Sequence, residues 1–582
     1  MPSQYAPADG ADPVSPYSTA LLSQRDLQLS IPVNFVTGPV ISLSQACFPH
    51  DLYQEHAASV CLSNLLAAGF KRIVVDLYWD APRTVWSLCP AEIPDSASNE
   101  DDSQSISIPT THLESGETIV QVGPYNCSAT LDVSVITEVL EDFLESTSDT
   151  VHAELRYFIF NIHAAASSSS PTEPAQAPAA NALPAADTSL GNLISTNLSS
   201  YLYTPSQLRE DRSNLNSSWY GTDIAIGVQP AASYIEFVDN DGVYSTPDGW
   251  PSEGTLEFGP DHYRVLASFG QIDPQMANYT NDNDDSIIFP EGTFQATRTI
   301  TTSSNGTVTS GCFFDADVTT LTGSTNNSWA ISSDIQIAQT ANLESFNTSL
   351  ASISNISACG VSPFVNQTME NSSADSDWEP YQLLAYSSVW SWAIGEPRNV
   401  TNHVDDASEL RCATMRSSLS GHWALTDCTS KQHAACRVRN DPYSWQISED
   451  VGSYSDVSQN CPQNSSFDAP RTGLENSYVF AALRRYADTH DIDTDDPSVW
   501  VDFNSLDVQG CWVVGSNSSC PYSSSEDAHR NRLIVIPTVA AVIVFLLAAL
   551  TIFIKCAANR QNTRRTRRRK GEEGWDYEGV PS

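Results

Sequence analysis

The chain has 582 residues, a length that suits two to four domains with hydrophobic cores of their own. Its 28 Lys and Arg residues against 70 Asp and Glu residues give a net charge of −42 at pH 7. Direct contact with nucleic-acid phosphates needs clustered basic residues, so this composition argues against direct binding of nucleic acid by the acidic bulk of the chain.

The N-terminal residues 1–27 show no hydrophobic period, and we expect them to be disordered. They contain no apolar run of the kind found in signal peptides, so either the natural chain begins further upstream, which we favour, or another segment directs translocation. The later stretch "HAASVCLSNLLAAGF" has the spacing of an amphipathic helix that ends at Gly69. The β-branched run "KRIVVDLYWD" after it predicts a parallel strand buried on both faces.

The same helix–strand unit recurs further along the chain. "LDVSVITEVLEDFLEST" predicts a helix and "LRYFIFNIH" the strand after it, while "YRVLASFG" and "SIIFP" predict two later strands. Repeated units of this kind predict an α/β domain, which we place at residues 28–345. An Ala/Pro/Ser-rich insertion at residues 164–190 is expected to be a mobile, disordered loop. In the helix predicted from "LDVSVITEVLEDFLEST", Leu131, Val135, Val139 and Phe143 lie on one apolar face.

The chain holds thirteen Asn-x-Ser/Thr sequences, the acceptor pattern for N-linked glycans, and all of them precede residue 533. Twelve of the thirteen cysteines also precede residue 533, an even number that suits disulfide pairing in an oxidising compartment. The remaining one, Cys556, is a candidate for palmitoylation or a free thiol. The predicted glycosylation sites are Asn126, Asn197, Asn216, Asn278, Asn305, Asn326, Asn347, Asn355, Asn366, Asn371, Asn399, Asn464 and Asn517.

Residues 533–554, "LIVIPTVAAVIVFLLAALTIFI", contain no charged residue and are long enough to span a bilayer as a helix. The tail at residues 555–582 includes "RRTRRRK", and an excess of Lys and Arg marks the cytoplasmic side of a membrane. The same basic run could serve as a nuclear-import signal or contact anionic lipid. We predict a single-pass type I membrane protein whose N-terminus lies in a lumen or outside the cell.

The stretches "LSQACF", "GFKRIVVDLYWD" and "YFIFNIH" resemble the phosphatidylinositol phospholipase C-like barrel over residues 28–345. The resemblance implies two histidines that act as general base and general acid at the C-terminal ends of barrel strands. Gln45 stands where the first histidine is expected, and an amide cannot exchange a proton near neutral pH. His163 would be the remaining histidine and Asp76 a carboxylate near the site. His50, five residues beyond Gln45, is the candidate for a replacement histidine.

These candidate catalytic residues also have structural interpretations. His163 could end a strand with a satisfied hydrogen bond, and a buried Asp76 could pair with Arg72 or Arg83. Because the pair of acid–base groups is incomplete, a non-enzymatic protein is the favoured interpretation. An active phosphodiesterase is the alternative.

The stretches "WSWAIGEPRN", "CATM", "GHWALTDC" and "HAACRV" together resemble the C-type lectin-like fold, a disulfide-rich α+β fold that we place at residues 346–438. The resemblance implies a disulfide that joins Cys412 to Cys428, and a second one from Cys436 to a more N-terminal partner such as Cys359. Residues 439–532 would then form a cysteine-containing region next to the membrane. The tryptophans expected in the core are Trp390, Trp392 and Trp423.

The calcium site of that fold is not retained in this chain. Glu396 and Pro397 remain from its tripeptide, but Arg398 replaces the amide residue. Ala424 and Leu425 occupy the positions of two oxygen ligands, and calcium needs six to eight oxygens. We therefore predict a scaffold without a metal, and we expect no cofactor in the chain.

The arrangement as a whole resembles the fungal maintenance of telomere capping protein 6 family, on "LSQRDLQLSIPVNFVTGP", "WSWAIGEPRN" and "FDAPRTGLENSYVFAALRRY" followed by one membrane span. The resemblance implies a type I membrane glycoprotein with a role in telomere capping. A lumenal domain cannot contact a telomere, so that role would be indirect. The favoured function is a non-enzymatic ectodomain that binds a glycan or a protein. The alternative is a lumenal phosphodiesterase-like hydrolase that acts on a phospholipid or glycolipid.

Overall fold

The computed structural model describes residues 4–94, 109–113, 116–221, 229–279, 284–335, 343–369, 372–398, 410–490 and 496–522, with a few helical residues between 545 and 555. The chain divides into two compact units, Met1–Cys520 and Pro521–Ser582. Among the described residues, no helix has both the length and the apolar character needed to cross a membrane. Of the 22 residues in the span predicted at 533–554, the structure describes only seven, all from residue 545 onward.

Helices are spread along the whole first unit. In chain order they are α1 Tyr17–Gln28, α2 Leu43–Cys47, α3 Glu55–Ala67, α4 Val133–Ser146, α5 Leu190–Leu198, α6 Pro205–Ser213, α7 Glu253–Phe258, α8 Asp284–Ile287, α9 Leu343–Ala358, α10 Glu379–Ser387 and α11 Gly473–His490. The helix predicted to end at Gly69 is α3, and Gly69 has the positive φ of 92° that a glycine after a helix end adopts.

Strands alternate with these helices in the first part of the chain and dominate its last part. They are β1 Val40–Ser42, β2 Leu52–Tyr53, β3 Arg72–Asp80, β4 Val85–Ser87, β5 Thr110–His112, β6 Thr118–Val122, β7 Tyr125–Ser128, β8 Arg156–Ala164, β9 Val238–Asn240, β10 Val243–Ser245, β11 Val265–Ile272, β12 Ala296–Thr297, β13 Thr301–Thr302, β14 Val308–Ser310, β15 Ala330–Ser332, β16 Ser362–Val365, β17 Leu410–Arg416, β18 Trp423–Asp427, β19 His433–Val438, β20 Trp445–Ile447, β21 Ser465–Phe467 and β22 Ser498–Asn504.

The main sheet has the strand order β11-β8-β3-β1-β16-β15-β12, in which all neighbours are parallel, and β4 pairs with the end of β3. Parallel strands joined by helices form part of an α/β barrel. The barrel-like α/β class expected from the sequence is confirmed. One face of the sheet includes Val74, Ile159 and Trp329, and the other packs Val75 and Phe160 against α3 and α4.

The expected boundary at residue 346 is wrong, because the main sheet continues beyond it. β16 pairs with β1 through Val40 and Phe364, so the strand that follows α9 lies inside the barrel sheet. A disulfide from Cys312 to Cys359 joins the preceding stretch to the end of α9. Because the chain around α9 and β16 is rich in Ser, Thr and Asn, this helix and this strand were not predicted from the sequence.

The expectation that residues 1–27 are disordered is also wrong. Residues 17–28 form α1, whose buried positions are largely polar and therefore show no hydrophobic period. The guanidinium of Arg25 donates to the backbone carbonyls of Val151 and Ala153, at 3.2 and 2.6 Å. Gln24 accepts a hydrogen bond of 3.0 Å from the backbone N–H of Trp390. These contacts anchor the N-terminal helix in the unit.

Two further expectations in the α/β domain need correction. The insertion at residues 164–190 contains a long loop, but that loop is anchored, because the indole nitrogens of Trp79 and Trp86 donate to the carbonyls of Ala182 and Thr188. "SIIFP" is not a strand. Its start belongs to the short helix α8, and only Phe289 forms an isolated bridge to β11.

The second large sheet has the order β18-β17-β22-β19-β20, with β21 paired to β19. A buried ion pair of 2.8 Å joins Arg437 of β19 to Glu475 of α11. The hydroxyl of Tyr234, from the segment before β9, donates to the same carboxylate at 2.7 Å. The two sheets therefore belong to one compact unit. A smaller sheet has the order β2-β7-β6-β5.

Candidate functional site

A group of polar side chains lies toward the C-terminal ends of the central parallel strands β1, β3, β8 and β11. Side chains alternate along a strand, so Asp76 and Asn161 continue the face that begins with Val74 and Ile159. Asp76 pairs in register with Asn161, and two residues later Tyr78 pairs with His163. The C-terminal ends of parallel barrel strands are the usual location of ligand and active sites.

We call the group formed by Ser44, Asp76, Asn161, His163 and Asp273 the barrel mouth. Asp76 accepts hydrogen bonds from the Ser44 hydroxyl, from Nδ2 of Asn161 at 2.7 Å and from Nε2 of His163 at 3.4 Å. Burial would raise the pKa of Asp76, but the hydrogen bonds from its three donors outweigh burial and hold that pKa below its usual value. Asp76 is therefore an ionised acceptor at neutral pH.

His163 lies between two carboxylates. Its Nδ1 is 2.8 Å from Oδ2 of Asp273, and its ring stacks on Tyr78 with centroids 4.9 Å apart. Burial would lower the pKa of His163, but the hydrogen bonds and negative charges of Asp76 and Asp273 outweigh burial and raise that pKa. Only the protonated ring can donate from both nitrogens, so the geometry stabilises the imidazolium form.

Two other residues considered from the sequence, Gln45 and His50, are exposed to solvent. Gln45 follows β1 within α2, and its side chain is exposed. His50 is exposed in the turn after α2. Arg72 and Arg83 do not neutralise Asp76, because Arg72 donates to the carbonyl of Val36 and Arg83 pairs with Asp80.

Three residues of the barrel mouth were missed from the sequence, namely Ser44, Asn161 and Asp273. Asn161 carried a signal, since it precedes His163 by two residues and must share its face of the strand. Its Oδ1 accepts from the backbone N–H of Gln271 at 2.8 Å. Gly270 permits this approach, because a Cβ there would lie 2.3 Å from the same oxygen. The described ranges contain no group of three or more His, Cys, Asp or Glu residues that could hold a metal ion.

The arrangement can bind hydroxyl groups, and its protonated histidine could act as a general acid but not as a general base. A general base needs a free nitrogen lone pair on its histidine, and both nitrogens of His163 face carboxylates. The ionised carboxylate of Asp76 and the amide of Asn161 can accept from and donate to hydroxyls.

In the second sheet, Cys412 and Cys428 form a disulfide with an S–S distance of 2.05 Å, as the lectin resemblance implies. The implied pair of Cys436 with Cys359 is wrong. Cys436 joins Cys461 instead, because β19 and β21 are hydrogen-bonded neighbours and bring the chain around Cys461 close. The remaining disulfides are Cys47–Cys61, Cys89–Cys127, Cys312–Cys359 and Cys511–Cys520.

The tryptophans of the lectin-like motifs lie in the core. Trp390, Trp392 and Trp423 are at most 2% exposed. Ala424 and Leu425 are buried in β18, where they present hydrocarbon and no oxygen ligand. Because they are buried, the three tryptophan rings cannot serve as surface platforms for a sugar.

The predicted glycosylation sites lie mostly on the surface. Asn126, Asn197 and Asn355 are half-buried, while Asn371 and Asn399 lie outside the described residues. The exposed acceptors are Asn216, Asn278, Asn305, Asn326, Asn347, Asn366, Asn464 and Asn517.

The raised pKa of His163 predicts a pH-dependent contribution to stability. This contribution is complete below the unfolded pKa of about 6.5 and is lost as pH rises through the higher folded pKa. We expect His163→Gln to reduce the free energy of unfolding more at about pH 5.5 than at about pH 8.5. Urea unfolding at the two pH values measures the difference, with the exposed His152→Gln as the control. An equal loss at both pH values would show that the ring acts only by packing.

Comparisons with known proteins give one consistent result. The family model "MTC6 partial TIM-barrel domain" matches residues 13–390. "Maintenance of telomere capping protein 6" of Komagataella phaffii is 25% identical over 590 residues, which cover 97% of this chain and 95% of that protein. Proteins of the same name from Candida albicans strain WO-1 (23% identity; 97% and 94% covered) and Saccharomyces cerevisiae strain AWRI1631 (24%; 78% and 76%) are also similar. No solved structure matches the chain.

Proposed function

Because the chain belongs to the maintenance of telomere capping protein 6 family, we propose that it is a single-pass type I membrane glycoprotein with a ligand-binding ectodomain. The uncharged stretch at residues 533–554 and the basic tail after it support this topology. Six disulfides and the exposed acceptor asparagines support an oxidising compartment for the first unit.

We propose that the barrel mouth binds a glycan without cleaving it. The observation that carries this proposal is that both nitrogens of His163 are engaged by the carboxylates of Asp76 and Asp273. A ring in this state cannot accept a proton, while the carboxylates and amide around it can bind hydroxyls. The lectin-like region would serve as a disulfide-bonded scaffold, since Ala424 and Leu425 cannot bind calcium.

A lumenal hydrolase of phospholipids or glycolipids is the second candidate function. The 2.8 Å contact between His163 and Asp273 favours it, because a carboxylate commonly orients a catalytic histidine. Such an enzyme would need a second proton-exchanging group, and Gln45 cannot fill that role.

The relatives are named for maintenance of telomere capping, and a role of that kind is proposed for this chain as well. An ectodomain in a lumen is separated from chromosomes by a membrane. We therefore propose that any effect on telomeres is indirect and passes through the secretory pathway or the cell surface.

Removal of N-linked glycans tests the proposed topology. We expect endoglycosidase treatment of the protein from native membranes to lower its apparent mass by several kilodaltons, because the acceptor asparagines precede the membrane span. Gel electrophoresis with and without the enzyme measures the shift, and a secreted glycoprotein of the same host is the control. An unshifted band beside a shifted control would contradict the topology.

A further inference from the structure

An exposed group of aromatic side chains lies on the hairpin of β9 and β10. Phe237 and Tyr244 are 39% and 45% exposed, and Val238 and Val243 beside them are exposed to a similar extent. The ring of Phe237 lies 6.3 Å from that of Tyr244 and 5.7 Å from that of Tyr220. We call Tyr220, Phe237 and Tyr244 the aromatic patch. Large apolar side chains grouped on a surface indicate that something covers them.

Asn216, one of the predicted glycan acceptors, lines the same shallow depression of about 480 Å³ as the aromatic patch. Its amide is held by the hairpin. Nδ2 donates to the carbonyl of Gly242 at 3.2 Å, and Oδ1 accepts from the backbone N–H of Tyr244 at 2.9 Å. The nitrogen that receives a glycan is therefore fixed in orientation at the edge of the patch. A glycosylated amide keeps one N–H, so the contact with Gly242 can persist.

We propose that Asn216 carries an N-linked glycan whose first sugars cover the aromatic patch. The inference rests on the proposed lumenal location of this unit. The donor is an oligosaccharide linked to a lipid pyrophosphate. Nδ2 of Asn216 bonds to the anomeric carbon of the first sugar, and the bond from that carbon to the pyrophosphate oxygen breaks. The lipid pyrophosphate leaves with the electron pair, and the nitrogen loses one proton, which passes to solvent.

The chemistry of the patch fits a sugar ring. The C–H groups on one side of a pyranose pack against aromatic faces, while its hydroxyls remain in water. The attachment point supplies a high local concentration, so even a weak stacking contact is occupied. The glycan would thus shield apolar surface on a hairpin that forms a two-stranded sheet within the described part of the chain.

The test combines glycopeptide mass spectrometry with hydrogen exchange of residues 236–245 in the full-length protein from a eukaryotic host. Ser218→Ala removes the acceptor pattern without changing the Asn216 side chain, and it also removes the hydrogen bonds of the Ser218 hydroxyl to the carbonyls of Asp211 and Asn214. We expect Asn216 to be glycosylated and Ser218→Ala to speed exchange in the hairpin. Phe237→Ser with Tyr244→Ser should speed it too, with the glycan still attached. Adding Ser218→Ala to that pair should then give no further change, because the stacking contact is already lost.

The matched control is Asn278→Gln, which removes another exposed acceptor and should leave hydrogen exchange in the hairpin unchanged.

The outcomes separate this inference from the proposed function. An unmodified Asn216 in a chain glycosylated elsewhere overturns the inference and leaves the topology intact. A chain without any N-linked glycan overturns both. A glycan at Asn216 whose removal leaves exchange unchanged, or adds fully to the effect of the patch substitutions, shows that the glycan does not lie on the patch.

Discussion

We expect Arg437→Met to lower the free energy of unfolding by about 3–5 kcal/mol, because it leaves a buried carboxylate without its cation. Arg437 is 5% exposed and Glu475 is fully buried, with Nη2 of the arginine 2.8 Å from Oε2 of the glutamate. Nε of Arg437 is also 2.9 Å from the carboxylate of Asp468. Urea unfolding of the full-length protein, followed by tryptophan fluorescence, measures the loss.

An exposed ion pair supplies the matched control. Arg398 lies 3.7 Å from Glu396 and its side chain is 60% exposed, so Arg398→Met should change the free energy of unfolding by less than about 1 kcal/mol. If Arg437→Met also costs less than about 1 kcal/mol, then Glu475 finds water or another donor in the variant. The packing of α11 against β19 would in that case be looser than the structure indicates.

The second large effect is expected from Trp423→Ala, which should lower the free energy of unfolding by about 3–5 kcal/mol. Trp423 is fully buried, and its ring meets Trp390 and Trp392 edge-on with centroids 5.8 and 5.9 Å away. Its indole nitrogen donates to Oδ1 of Asn476 at 3.0 Å. The substitution would leave both a cavity and an unpaired buried acceptor.

Ile394→Ala is the control for this prediction, because Ile394 lies close to Trp392 in the chain but is 74% exposed. It should change stability by no more than about 0.5 kcal/mol. A stable Trp423→Ala protein that has lost binding to a sugar would contradict the assignment of these tryptophans to the core. It would instead make the lectin-like region a binding site.

Local pattern was enough to predict the parts of the fold in which apolar residues repeat regularly. The helix with Val135 and Val139 on one face is α4, and the buried run after it is β8. The resemblance to the phospholipase C-like barrel, and not the local pattern, placed Asp76 and His163 near one site, on the runs that form β3 and β8. Those strands, β3 and β8, are neighbours in the sheet.

Features that depend on distant partners could not be predicted in this way. Asp273 contacts His163 across 110 residues of sequence and follows the strand β11. The helix α1 was not predicted, because its buried side chains Gln24 and Arg25 are polar and form hydrogen bonds with distant backbone groups. The partner of Cys436 was wrong because only the pairing of β19 with β21 shows which cysteine is close.

Binding without cleavage at the barrel mouth is tested most directly by a panel of fungal glycans and of phospholipid and glycolipid headgroups incubated with the full-length protein. Mass spectrometry then scores both retention and cleavage of each compound. We expect a hydroxyl-rich glycan to be retained intact. Asp76→Asn should weaken that binding roughly tenfold or more, since it removes a charged hydrogen-bond acceptor. Cleavage of a headgroup by the wild-type protein, abolished by His163→Gln, would contradict the account and establish the hydrolase.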